Sequence, residues 1–99
     1  MRRYKFLTKD DVYDAFNRLR DAFLAAKNGE EVEEIIKGIL THDEKLKIGR
    51  RILVAEYLRD GLGLDEIAKT LKVGKNTIMN VAKKLDENSI FLDLINKRR

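Results

Sequence analysis

Apolar residues recur every three or four positions along most of this chain, which is the period of an amphipathic helix. The first such stretch predicts a helix that begins after Thr8 and runs to about Lys27. The apolar stripe of this helix consists of Val12, Tyr13, Phe16, Leu19, Phe23 and Ala26. The pair Asn28-Gly29 then interrupts the pattern, and a shorter apolar periodicity predicts a second helix over 30–40.

A third helix is predicted from the capping-box sequence Thr41-His42-Asp43-Glu44 to about Asp60. Beyond Ile48, its apolar residues cover well over half of the circumference. A helix that is apolar on most sides must be covered on most sides. In a chain this short, we expect part of that cover to come from a second copy.

The remaining sequence predicts three short helices. They are expected over 64–71, from Lys75 to Leu85 or Asp86, and over 90–96. The spacing of 64–85 fits a helix-turn-helix, with the small Ala68 where the two helices cross. The apolar residues at the offsets that would hold the pair together are Ile67, Leu71, Val73, Ile78, Val81 and Leu85. The expected fold is therefore all-α, with about six helices in a single domain over 1–99.

The turn of this motif departs from the usual pattern. Many helix-turn-helices place glycine where the turn begins because the backbone is left-handed there, whereas this chain has Lys72. Two interpretations are open: Lys72 adopts the strained conformation, or the bend is displaced to Gly74.

The second helix of the motif would present a polar face suited to the major groove of DNA. Asn side chains pair with adenine edges, and Thr offers a hydroxyl or a methyl group to a base. Lysines would contact phosphates and set the orientation. The candidate DNA-binding residues are Lys72, Lys75, Asn76, Thr77, Asn80, Lys83 and Lys84. The alternative is a helical hairpin whose polar side is simply solvated.

The charge distribution favours the first interpretation. Residues 1–41 carry eight Lys or Arg and eight Asp or Glu, whereas residues 42–99 carry thirteen and nine, so the latter hold the whole net charge of +4. Residues 69–84 contain five lysines and no acid. Such a segment attracts polyanions. The basic ends of the chain could also touch DNA, although solvated termini explain them equally well; they are Arg2, Arg3, Lys5, Lys97, Arg98 and Arg99.

Composition argues against several other classes of function. The chain has no Cys and one His, His42, so we expect no disulfide, thiolate nucleophile or multi-histidine metal site. No phosphate-binding glycine loop or nucleophile motif is present, and the carboxylates cluster at predicted helix starts. We therefore expect a non-enzymatic protein without cofactor or metal. The apolar stretches are too short for a membrane span, and we expect a cytoplasmic location.

The run from Leu40 to Leu85 resembles the Trp-repressor-like family. The resemblance rests on LTHDE over 40–44, IGRRILVAEYL over 48–58, the DG turn at 60–61 and DEIAKTLKVGKNTI over 65–78. It implies an all-helical, intertwined homodimer whose reading heads enter successive major grooves roughly 34 Å apart. It would assign residues 1–41 to dimerisation and 42–99 to the central helix, the helix-turn-helix at 64–85 and the last helix. Packing of the first stripe within one subunit is the alternative.

The same resemblance implies an effector pocket between the central helix and the reading helix. Carried over by position, Thr41 and Arg51 match the pocket of the tryptophan-responsive member, whereas its second arginine is replaced by Asn80. Without that guanidinium an indole ring loses a stacking partner. We therefore expect no tryptophan response, and the effector, if one exists, is unknown.

The sequence thus predicts a homodimeric, sequence-specific regulator of transcription, acting as a repressor on double-stranded DNA. The rival hypothesis is a helical interaction module whose basic face docks on an acidic protein.

Overall fold

The computed structural model describes residues 8–97, and all regular structure within that range is helical. The all-α prediction is confirmed. The six helices described in this range are α1 (Lys9–Leu24), α2 (Gly29–Ile39), α3 (His42–Arg59), α4 (Leu64–Leu71), α5 (Lys75–Glu87) and α6 (Ser89–Lys97). The chain divides into two compact units between Thr41 and His42. We call them the N-terminal unit and the C-terminal unit.

In the N-terminal unit, α1 and α2 contact each other, and neither contains a buried residue. Local caps start both helices. The Thr8 hydroxyl accepts from the Asp11 amide at 3.1 Å, and the Asp11 carboxylate accepts from the Thr8 amide at 3.1 Å. At α2, the Asn28 side chain accepts from the Glu31 amide at 2.9 Å. These bonds satisfy amides that the helix itself leaves without partners.

The first helix ends at Leu24, three residues before the predicted end. The reason lies in the start of the next helix, where the Glu31 carboxylate accepts a hydrogen bond from the Lys27 amide at 2.9 Å. The backbone at Lys27 thus helps to start α2 and does not extend α1.

The C-terminal unit has its own hydrophobic core, to which all four of its helices contribute. Its buried members are Val54, Ala55, Ile67, Ile78, Val81 and Ile95. The central helix α3 contacts α4, α5 and α6. Near its end, Arg59 donates to the carbonyl oxygen of Ile95 at 3.3 Å and pairs with Asp60 at 3.3 Å, which fixes α6 on α3.

Four apolar side chains between positions 46 and 53 of α3 remain partly exposed in the single chain. They are Leu46, Ile48, Ile52 and Leu53, each roughly two-fifths exposed, and they lie on more than one side of the helix. The α1 stripe is more exposed still, with Tyr13 at 66% and Phe16 at 68%. Apolar surfaces of this extent on a small chain are typical of surfaces that another molecule covers.

Candidate nucleic-acid interface

Helices α4 and α5 form the predicted helix-turn-helix on one side of α3. Ile67 and Ile78, one from each helix, are fully buried against the core, and the smaller Ala68 packs beside them. These contacts fix the direction in which α5 presents its other side to solvent. The remaining predicted contact residues, Leu71, Val73, Val81 and Leu85, all pack in the same cluster.

The turn between the two helices bends at Lys72. This residue is left-handed, with φ 55° and ψ 46°, whereas Gly74 has φ −70° and an ordinary extended backbone. Of the two interpretations left open by the sequence, the structure therefore has the strained lysine and not a displaced bend. A left-handed conformation costs a residue other than glycine about 1–2 kcal/mol.

The exposed side of α5 carries most of the candidate DNA-binding residues. Asn76, Asn80 and Lys83 are exposed and follow one another at intervals of four and three, so they lie along one stripe opposite the buried face. Lys75 and Lys84 are also exposed and flank this stripe. An exposed apolar residue, Met79, interrupts the polar surface with 57% of its area accessible. We call this surface the reading face.

Thr77 departs from the expected placement. It is half-buried and lines a cavity of about 470 Å³ between α5 and α3, so it lies beside the reading face. The other residues that line this cavity are Arg51, Asn80, Val81, Lys83, Lys84 and Glu87. Two of the three predicted effector-pocket residues, Arg51 and Asn80, thus share one cavity. The third, Thr41, is the last residue of the N-terminal unit, and the cavity is formed by the C-terminal unit alone.

Lys75 forms an ion pair within the protein that its position in the sequence does not predict. Its ammonium group contacts the Asp65 carboxylate at 2.8 Å, which joins the first turn of α5 to the first turn of α4. The hydrogen bond and the charge attraction of this pair hold the pKa of Asp65 below its usual value and the pKa of Lys75 above it. Both side chains are largely exposed, so a phosphate can compete for the lysine.

A second acidic residue lies at the other end of the reading face. Glu87 approaches the ammonium group of Lys83 at 4.0 Å, one helical turn away. This pair can be predicted from the sequence because the two residues have i,i+4 spacing on one helix. The Asp65 pair joins residues ten positions apart on different helices, and only the fold brings them together.

Three other features considered in the sequence are metal sites, membrane spans and the basic chain ends. Within residues 8–97, no group of three His, Asp or Glu side chains is placed to hold a metal ion. In the same range no helix is both long enough and apolar enough to span a bilayer. Of the basic residues at the chain ends, Lys97 is exposed at the end of α6, and the others, Arg2, Arg3, Lys5, Arg98 and Arg99, lie outside the described residues.

Comparison with known proteins gives one match. The family model described as "Trp repressor protein" matches residues 14–95, which is most of the chain and includes the whole helix-turn-helix. Searches of curated proteins and of solved structures gave no match. The matched family is one of regulatory, helix-turn-helix DNA-binding proteins and is not enzymatic.

Proposed function

We propose that this chain, which belongs to the Trp repressor family, is a homodimeric repressor that recognises a specific sequence in double-stranded DNA. The observation that carries the proposal is the reading face, a polar and basic surface on a helix that is held in place by a buried core. Asn76 and Asn80 contact base edges, and Lys83 and Lys84 contact phosphates.

The dimer is the second part of the proposal. It is supported by the apolar residues that the single chain leaves exposed, namely the α1 stripe and the residues between positions 46 and 53 of α3. A twofold axis would set two reading faces about one turn of DNA apart, so the operator would contain two related half-sites. Light scattering at micromolar concentration tests this part, and a folded monomer would contradict it.

The test of DNA recognition begins with selection of bound duplexes from a random pool, followed by measurement of affinity over a salt series. We expect one sequence class to be enriched and the logarithm of the binding constant to fall linearly with the logarithm of salt concentration. Asn80→Ala should lower discrimination at one base position by about 1–3 kcal/mol. Lys84→Ala should weaken all duplexes alike and lower the salt slope by about one unit.

The same pair of variants separates this function from its rival. An acidic protein partner would also be held by a salt-sensitive interaction, but it would not distinguish one DNA sequence from another. If the pool yields no enriched duplex at modest salt, or if Asn80→Ala and Lys84→Ala weaken every sequence equally, base recognition by this face is wrong.

We further propose that an effector, where one acts, binds the cavity of about 470 Å³ beside the reading face. Arg51 and the two lysines at its rim would favour an anionic group, and Asn80 would offer an amide to a polar one. Tryptophan is not the expected ligand because Asn80 cannot stack on an indole as a guanidinium does. Calorimetric titration with tryptophan should therefore show no binding, and saturable binding would contradict this assignment.

A further inference from the structure

A second concave surface lies at the start of α5, away from the outward stripe of the reading face. It has a volume of about 380 Å³ and is formed by the middle of α3, the turn before α5 and Thr77 in the first turn of α5. We call it the basic cleft. Its lining residues are Lys47, Arg50, Arg51, Lys72, Val73, Gly74 and Thr77. Four of the seven are cations and none is an acid.

The cations of α3 are placed as a group. Lys47, Arg50 and Arg51 follow one another at intervals of three and one, so they lie on the same side of the helix. Like charges at such spacing repel one another and weaken a helix slightly. None of the ion pairs described within residues 8–97 involves these three side chains or Lys72. Their charge is therefore available to a bound anion.

The turn adds a fourth charge and backbone donors. Lys72 has a left-handed backbone conformation, which glycine adopts with less strain. The turn therefore carries a positively charged side chain at a position that usually favours glycine. Gly74 caps the 13-residue helix α5 and supplies no side-chain acceptor to its first amides. The positive end of the helix dipole thus faces the same cleft as the four cations.

We propose that the basic cleft binds a phosphate group of the DNA backbone, adjacent to the bases contacted by the reading face. The inference rests on the proposed DNA recognition and extends the contact surface from α5 to α3. DNA is favoured over a free anion because the cleft adjoins the cavity beside the reading face: Thr77 and Arg51 line both, and Asn80, Lys83 and Lys84 of the reading face line the cavity. One polyanion lying along α5 therefore meets both surfaces.

The test compares two lysines of α3 in a salt series with the selected duplex. Lys47 lines the cleft, whereas Lys45 is an exposed lysine of the same helix that does not. We expect Lys47→Gln and Arg50→Gln each to lower the salt slope by about one unit, and the double variant by about two. The matched control Lys45→Gln should keep the wild-type slope. None of these three side chains belongs to the core, and a thermal melt verifies that each variant folds.

The outcomes distinguish failure of the cleft proposal from failure of the proposed DNA recognition on which it rests. If the wild type binds duplex and Lys47→Gln keeps the slope of Lys45→Gln, the cleft assignment is wrong while DNA recognition stands. If the wild type binds no duplex, both proposals fail. A further arm titrates the free protein with inorganic phosphate at constant ionic strength. Tight phosphate binding that Arg50→Gln abolishes, together with an unchanged duplex slope, would assign the cleft to a free phosphorylated ligand and overturn our proposal.

Discussion

The two units of this chain are stabilised in different ways. Every buried apolar residue described between positions 8 and 97 belongs to the C-terminal unit, whereas α1 and α2 have none. The C-terminal unit can orient its helix-turn-helix by packing alone. The N-terminal unit has an apolar stripe but no core, so its helices depend on local caps and on whatever covers the stripe. Only the C-terminal unit therefore has a core that a substitution can disrupt, and substitutions in the two units should have different consequences.

The largest effect is expected from Ile67→Ala in the core of the C-terminal unit. Ile67 is fully buried, and removing a side chain of this size from a core lowers the free energy of unfolding by about 2–5 kcal/mol. Chemical denaturation measures the loss, and duplex binding should fall with it. Leu64→Ala, on the same helix but 37% exposed, should be clearly milder. Equal losses for the two variants would contradict the core described for this unit.

A smaller and concentration-dependent effect is expected from Phe16→Ser in the N-terminal unit. Phe16 is 68% exposed in the single chain, so its removal leaves no cavity there. If the stripe is covered by a second copy, the change weakens that association by about 1.5–3 kcal/mol, which is roughly 10- to 100-fold in the dissociation constant of the dimer. Sedimentation at several concentrations measures it. Asp14→Ser, opposite the stripe, serves as the control, and the idea fails if both variants assemble as the wild type does.

Within the C-terminal unit, Lys72→Gly should separate stability from binding. Glycine relieves the left-handed strain, which raises the free energy of unfolding. Its greater freedom in the unfolded chain offsets part of this gain, so the expected net increase is about 1 kcal/mol. The lost charge should lower the salt slope of duplex binding by about one unit. Lys69→Gly removes the same charge from the interior of α4 and should destabilise the protein by about 1 kcal/mol. In thermal melts, the melting temperature should rise for Lys72→Gly and fall for Lys69→Gly. A shift of both melting temperatures in the same direction would contradict the prediction.

The smallest effect is expected from Asp65→Asn, which frees Lys75. Affinity for all duplexes should rise by a few-fold because the lysine no longer has a carboxylate partner and a negative charge leaves the DNA side. Glu66→Gln is the matched control. It removes the same charge one residue away without touching the pair, so it should have less effect on affinity. Indistinguishable affinities for the two variants would show that the pair does not restrain Lys75.

The same pair gives a pH dependence whose sign follows from the shifts. The lowered pKa of Asp65 means that its contribution to stability is present at neutral pH and is lost as the pH falls below about 4. The raised pKa of Lys75 means that the contribution is also lost as the pH rises above about 10. The stability difference between wild type and Asp65→Asn should therefore vanish at both extremes in denaturation curves measured across pH.

The helices could be predicted closely from sequence because their signals are local. Leu64–Leu71 agrees at both ends, and the cap at Asn28 lies one residue before the observed start of α2. The end of α1 was wrong by three residues because a side chain of the following helix, Glu31, takes the Lys27 amide. Nothing in the apolar periodicity of α1 carries that information.

The sequence predicts which residue types form the reading face but not which other side chains each of them contacts. Apolar spacing places Asn76 and Asn80 opposite the buried face, so their exposure follows from a period of 3.6 residues. The half-burial of Thr77 depends on where α3 packs, and the pairing of Lys75 depends on how α4 crosses α5. Both features depend on tertiary packing, which local sequence patterns do not specify. Whether the backbone bends at Lys72 or at Gly74 also depends on how α4 and α5 pack.

The caps of the N-terminal unit have a consequence for the rate and free energy of the proposed dimerisation. Helices of this length are marginal by themselves, and an unordered segment must lose its conformational freedom when it associates. Thr8 and Asn28 accept from amides in the first turns of α1 and α2, and Glu31 accepts from the Lys27 amide just before α2, all through contacts only three or four residues apart. If a second copy covers the α1 stripe, these caps order part of α1 and α2 before association. Removing the caps should slow association and weaken it even though no capping residue belongs to the apolar stripe.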